Sequence, residues 1–248
     1  MNKKDEIMTT DRLIFAPSQM HAMLPYITEI SMGPSLLAYQ IDLSGVKQIS
    51  FDIEQSSCPA YLRQAVKKRK TEFYAVRLLA QLMLSKHFSI TTSVTSLSEK
   101  LPQWPEGIQG SISHTQNQAV VVMSSLSNYL GIDIEHWIDQ DFAAQSVHLI
   151  LNPQELRLWQ IVTGQQLSLV QFLTLSFSMK ESLYKAVYQQ VQQYIDFLDA
   201  EITEIDWLQQ KLSLQFSPSL QQRFALKECY QGYWRIEPQY ILTWITDV

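Results

Sequence analysis

Two carboxylates stand two residues apart in Gly131-Ile132-Asp133-Ile134-Glu135. Successive side chains of a β-strand point to opposite faces. Asp133 and Glu135 therefore share one face, and Ile132 and Ile134 share the other, the natural core side. Like charges so placed repel each other unless a cation lies between them. A hard, oxygen-seeking ion such as Mg²⁺ suits the pair, with water and substrate phosphate completing its octahedron. An ordinary solvated strand face carries the same pattern, so this pentapeptide alone leaves both readings open.

A second cluster is Phe177-Ser178-Met179-Lys180-Glu181-Ser182-Leu183-Tyr184-Lys185. Ser178 and Glu181 have capping-box spacing. Glu181 and Lys185 are i and i+4, in the favourable order for a surface ion pair. The segment nevertheless lies inside an apolar helical run. Its functional reading puts Glu181 near a metal and Lys185 against a phosphate. A third cluster, Gly110-Ser111-Ile112-Ser113-His114-Thr115, offers hydroxyl and imidazole donors to a phosphate oxygen. A Ser–His–acid hydrolase is the weaker alternative: neighbouring Ser and His point to opposite strand faces, and no nucleophile elbow is present. His21, His87, His136 and His148 carry no pattern.

The fourth is the basic run Lys67-Lys68-Arg69-Lys70, with Arg77 beyond it. Charge runs are usually solvated faces. Arg69 and Arg77, however, fall on or beside an apolar stripe that includes Val66, Phe73 and Ala80. An arginine on the buried side needs an anionic partner. On one helix the two are separated by about 12 Å along the axis, within reach of one polyanionic ligand.

These residues need elements to hold them. Short β-like runs occupy 12–15, 37–43 and 49–53. A helical pattern fills 59–88, with Ser57 as its N-cap and Pro59 in its first turn. After a Pro- and Gly-punctuated loop, 100–110, strand-like runs 111–114 and 119–123 flank a polar turn. A strand follows at 128–135. Asn152-Pro153-Gln154-Glu155 starts a helix with a capping box. An apolar helix covers 169–190. The tail alternates as an antiparallel sheet over 211–216, 223–229, 233–236 and 240–245. Strands and helices mixed throughout give an α+β or α/β class.

Composition narrows the field. Of 248 residues, 46% are hydrophobic and 17% charged, which describes an ordered globular chain able to bury a core. A net charge of -5 argues against non-specific nucleic-acid binding as the main task. Cys58 and Cys229 make neither a zinc pattern nor a disulfide framework, so a reducing compartment is expected. No signal peptide or apolar run of membrane-spanning length stands out, and a cytoplasmic location follows as the expectation. Glycine-rich phosphate loops of the GxGxxG and P-loop kinds are absent, so side chains or a metal must hold any phosphate.

Taken in order, these segments resemble the 4'-phosphopantetheinyl transferases of the surfactin/enterobactin type, most nearly the branch acting with siderophore synthetases. The family's arginine-and-EF segment corresponds to Arg69-Lys70-Thr71-Glu72-Phe73-Tyr74-Ala75-Val76-Arg77. Its proline–tryptophan loop corresponds to Pro102-Gln103-Trp104-Pro105-Glu106-Gly107. Its serine–histidine, metal and KExxxK motifs correspond to Gly110 through His114, Gly131 through Glu135, and Lys180-Glu181 through Lys185. A later matching stretch is Ile195-Asp196-Phe197-Leu198-Asp199-Ala200. Val76 departs from the glycine of many relatives. Lys100 is the match for a basic phosphate-binding residue.

The resemblance implies two similar α/β halves related by a pseudo-twofold, 1–127 and 128–248, with coenzyme A between them. It also implies attack of a carrier-protein serine on the β-phosphorus of coenzyme A, giving holo-carrier protein and adenosine 3',5'-bisphosphate. Asp133 and Glu135 would hold Mg²⁺, and Glu181 would act as base or as third ligand. Lys185 would offset phosphate charge. Arg69, Arg77, Lys100, Ser113 and His114 would hold the coenzyme. The partners would be peptidyl, aryl or acyl carrier domains, as in siderophore and nonribosomal peptide synthesis. The rival readings are a Mg²⁺-dependent phosphohydrolase and a non-catalytic binder of coenzyme A or carrier proteins. The intact set Asp133, Glu135, Glu181 and Lys185 exceeds what a binder requires.

Overall fold

A computed structural model describes residues 15, 17–49, 51, 59–96, 102–163 and 166–248. Among them the elements run α1 (Pro17–Met23), β1 (Ile27–Ile30), β2 (Leu37–Asp42), α2 (Leu43–Val46), α3 (Lys67–Phe88), β3 (Thr95–Ser96), β4 (Pro102–Gln103), β5 (Gln109–His114) and β6 (Gln118–Ser124). Then come β7 (Leu130–His136), α4 (Gln140–Ile150), α5 (Pro153–Leu158), α6 (Leu169–Val191), β8 (Ala200–Asp206), β9 (Lys211–Phe216), α7 (Pro218–Phe224), β10 (Tyr230–Ile236) and β11 (Tyr240–Thr246). The fold is α+β, built on two antiparallel sheets ordered β1-β2-β6-β5 and β7-β11-β10-β9-β8.

Strand alternation explains how the sheets stack. In the first sheet Tyr39, Ile41, Ala119, Val121 and Met123 pack with α3. Ala38, Val120 and Val122, on the other face, meet Leu130, Ile132, Ile134 and Leu242 of the second sheet in a shared core. The opposite face of the second sheet packs against α6. Each sheet therefore carries one long helix outside and faces the other sheet inside. Full burial of each of the Val, Leu, Ile and Met side chains among these stabilises by about 1.5–3 kcal/mol. At Gly131 a Cβ would lie 1.9 Å from the Ser182 carbonyl oxygen, so the absent side chain lets α6 settle on β7.

Several expected elements take a different form. α3 begins at Lys67, with extended Val66 as an N-cap that makes no side-chain bond, not at 59. Residues 60–62 form a separate 3-10 turn. The expected cap Ser57 lies outside the described residues. So does most of the 12–15 run, of which Phe15 is described as non-regular. In the 49–53 run, Ile49 closes the turn after α2 and donates its N–H to the Val46 carbonyl, while 50, 52 and 53 are outside. The expected strand 223–229 is replaced by α7 and a loop. Pro218 sits in the helix's first turn, and Ala225 ends it in the left-handed conformation at φ 51°. α6 is capped by Ser168 with Gln171, which leaves Ser178 in mid-helix and removes its capping-box reading.

The link between β6 and β7 is fastened to the chain terminus. Asp247 Oδ1 accepts from Ser127 Oγ at 2.7 Å and from the Asn128 N–H at 2.9 Å, and Asp247 Oδ2 accepts from Asn128 Nδ2 at 2.7 Å.

Candidate active site

Beside the shared core the edge strands β5 and β7 lie against each other, and serine hydroxyls join them. Ser111 Oγ accepts the Ile132 N–H at 3.0 Å, and Ser113 Oγ accepts the Ile134 N–H at 3.4 Å. Ser113 Oγ also donates to Asp133 Oδ1 at 2.8 Å. Lys185 reaches the same point from α6, its Nζ lying 2.7 Å from Asp133 Oδ1, 3.0 Å from Ser113 Oγ and 3.0 Å from the Ile132 carbonyl. The carboxylate end of this ion pair is buried, and the Lys185 side chain is partly exposed. The ammonium expected on a phosphate stands on the carboxylate beside it.

As alternation requires, Glu135 projects from the same face as Asp133 while Ile132 and Ile134 enter the shared core. Burial, and next the charge of Asp133, push the Glu135 carboxyl up to about 7; Lys185 opposes the shift and Glu181 adds to it. Two further carboxylates thus act on Glu135 at the seam. This surplus of anionic oxygen fits a hard divalent cation. Among the described residues no three His, Cys, Asp or Glu side chains are arranged to hold a metal ion by themselves.

The raised Glu135 pKa has a sign that can be measured. The folded chain binds this proton more tightly than the unfolded chain, so stability is greatest below the ordinary value of 4.5 and falls as pH rises towards about 7. In chelator, the melting temperature of wild type is expected to drop across that window relative to Glu135→Gln. Parallel pH curves for the two proteins would mean that Glu135 is not the group responsible.

On the α3 side of β5, Arg69 Nη1 lies 2.7 Å from His114 Nε2. A guanidinium only donates, so Nε2 accepts and the imidazole is neutral, with its proton on Nδ1. Burial, followed by the Arg69 charge, lowers the His114 pKa in the same sense. Glu72, itself buried, stands 3.9 Å from Arg69 and 3.8 Å from Lys68. Arg77 lies deeper. Residues 71–80 of α3 are all buried, so the helix is enclosed well beyond the single stripe read from its spacing. Arg77 has the Phe73 ring 5.0 Å from its guanidinium carbon, and burial brings its pKa down to about 10. Lys100 is outside the described residues.

The structure therefore joins Ser113, Asp133 and Lys185 directly, sets Glu135 and Glu181 in the same field, and pairs Arg69 with His114. The proline–tryptophan loop closes one flank: a Cβ on Gly110 would lie 2.5 Å from the Trp104 ring.

The comparisons with known proteins bear on this constellation. The family model described as the 4'-phosphopantetheinyl transferase N-terminal domain matches residues 58–124. The 4'-phosphopantetheinyl transferase superfamily model matches 129–243, taking in Asp133, Glu135, Glu181 and Lys185. Enterobactin synthase component D of Salmonella typhimurium is 33% identical over 172 residues, 68% of this chain and 70% of that protein. This chain belongs to the 4'-phosphopantetheinyl transferase family. The Escherichia coli K12 enterobactin synthase component D is 30% identical over 185 residues, covering 74% of the transferase described here and 80% of the relative. The 4'-phosphopantetheinyl transferase Svp of Streptomyces mobaraensis is 30% identical over 145 residues, 58% of each chain. The transferase is an enzyme of coenzyme A, whose phosphopantetheine arm the family moves onto carrier proteins. None of its described helices is long and apolar enough to cross a membrane.

Sequence reasoning overlooked some residues that shape the site. Ser178 donates to Asp133 Oδ2 at 2.8 Å from mid-helix. Lys180, beside Glu181, is buried against Glu155 at 2.8 Å. The Asn152–Glu155 capping box was legible; that its carboxylate also neutralises Lys180 was not, because the partners are separated by 25 positions.

Proposed function

We propose that the transferase modifies carrier domains of a siderophore or related nonribosomal peptide assembly, with Mg²⁺ held by Asp133 and Glu135. Support for the carrier class comes from the enterobactin synthase relatives. Support for the site comes from one observation above all: Asp133, from one half, is bonded at once to Ser113 of the other half and to Lys185 of the KExxxK motif. When bound, the ion would neutralise pyrophosphate oxygens, which is the chief need of phosphoryl-transfer chemistry.

The protein's own groups supply the rest. Arg69, Arg77, Lys100, Ser113 and His114 hold the coenzyme phosphates. The neutral His114 ring presents its Nδ1–H as a donor. Glu181 takes the proton of the carrier serine, whose oxygen forms a bond to the β-phosphorus. The bond from that phosphorus to the bridging oxygen breaks, and adenosine 3',5'-bisphosphate leaves. Lys185 offsets charge on the leaving phosphate. The gap between the two matched segments, 124 to 129, supports dividing the chain into 1–127 and 128–248. The use of coenzyme A supports a cytoplasmic location.

Incubation with coenzyme A, Mg²⁺ and an apo carrier domain from a nonribosomal peptide synthetase is expected to add one phosphopantetheine to the carrier, read by mass spectrometry. An unmodified siderophore-type carrier beside a fully modified fatty-acid carrier would overturn the assigned carrier class.

A further inference from the structure

Behind Asp133 lies a chain of buried hydroxyls to which the mechanism above assigns no part. Ser178 and Ser182 stand one turn apart on α6, and Thr243 faces Asp133 across the β7–β11 ladder. All three are 0% exposed. Ser178 Oγ is 2.8 Å from Asp133 Oδ2 and 2.9 Å from Thr243 Oγ1. Ser182 Oγ is 2.8 Å from Thr243 Oγ1 and 3.0 Å from the Thr243 carbonyl.

Counting protons gives this chain a direction. A carboxylate only accepts and each hydroxyl has one proton, so Ser178 donates to Asp133 Oδ2. The bond between Thr243 and Ser178 then uses the Thr243 proton. The Ser182 proton goes to the Thr243 carbonyl, which ties Ser182 to the β11 backbone beside Thr243 Oγ1. Ser178 and Thr243 thus donate in line towards Asp133, and aligned bonds of this kind strengthen one another in a dry interior. Oδ2 is thereby held from the helix side. Oδ1 is left towards Ser113 and Lys185, at the seam between the sheets.

We infer that Ser178, Thr243 and Ser182 are positioning residues, which fix the Asp133 carboxylate so that Oδ1 is the oxygen presented to the ion. The inference rests on the proposed role of Asp133 in metal binding. Loss of such outer partners typically costs 10–100-fold in metal affinity.

The test measures Mn²⁺ binding to the full chain by electron paramagnetic resonance, with urea unfolding as the measure of the fold. Thr243→Val and Ser178→Ala are expected to weaken Mn²⁺ binding by about 10–100-fold, while Thr243→Ser, which keeps the hydroxyl, stays near wild type. Asp133→Asn is expected to lose binding outright. Wild-type affinity in both Thr243→Val and Ser178→Ala, with Asp133→Asn defective, would reduce the chain to a packing role and leave the metal assignment standing. A loss in Thr243→Ser equal to that in Thr243→Val would also trace the effect to packing and overturn the inference. Wild-type binding by Asp133→Asn would instead remove the metal reading, and the inference with it.

Discussion

Asp133→Asn is expected to lower transfer to an apo carrier by roughly 10²–10³-fold, the scale of losing one preorganised electrostatic group in a water-poor site. The substitution keeps the shape of the side chain and leaves the shared core of Ile132, Ile134, Val120 and Val122 untouched. It removes the negative charge that Lys185 meets at 2.7 Å and puts an amide NH2 in place of one of the two oxygens, Oδ1 bonded by Ser113 and Oδ2 bonded by Ser178. Unfolding should therefore remain cooperative while turnover collapses. Steady-state kinetics in Mg²⁺, with the carrier product weighed directly, decide the matter. Wild-type turnover in this variant would mean that the Asp133 charge has no part in the reaction.

Glu155→Ala should damage the fold as severely as Asp133→Asn damages the chemistry. Glu155 is 0% exposed and holds three elements at once. Its carboxylate pairs with Lys180 of α6 at 2.8 Å, accepts the Asn152 N–H at 2.9 Å and accepts the Ile202 N–H of β8 at 2.9 Å. Truncation leaves an ammonium in the interior bonded to the carbonyls of Ile150 and Phe197, with the charges of Glu201 and Asp196 acting on it without a hydrogen bond. Breaking a buried pair from one side typically costs 3–5 kcal/mol. Urea unfolding provides the measurement. A loss below about 1 kcal/mol, the range of exposed pairs, would show that Lys180 is hydrated without its partner. The double change Glu155→Leu with Lys180→Met should recover much of the loss, because no lone charge is left inside.

Much of the site could be read from the chain because its signals are local. Alternation alone put Asp133 and Glu135 on one face, and the hairpin of β5 and β6 followed from two apolar runs around a polar turn. The same local logic failed where tertiary contacts overrode it. Ser178 has the spacing of a cap, yet Ser168 starts the helix ten positions earlier and frees Ser178 to bond Asp133. Glu181 and Lys185 have the spacing of a surface pair, but the Lys185 ammonium crosses to β7. Residues 223–229 contain apolar positions at intervals a strand would use, but Ser217 and Pro218 begin a helix just upstream. Elements as short as α1 and α2, with 7 and 4 residues, span too few turns to show a periodicity, and Thr243 has no distinguishing neighbour in the sequence.

Ser113 and Asp133 belong to different sheets, and only the link 125–129 runs from the last strand of one to the first strand of the other. Their cluster is in this sense quaternary, an interface that happens to be carried on a single chain. Short tethers of this kind keep their partners at an effective concentration in the millimolar range. Parting the two sheets would take the cluster apart and open their shared core, and Asp247 holds the tether at its root.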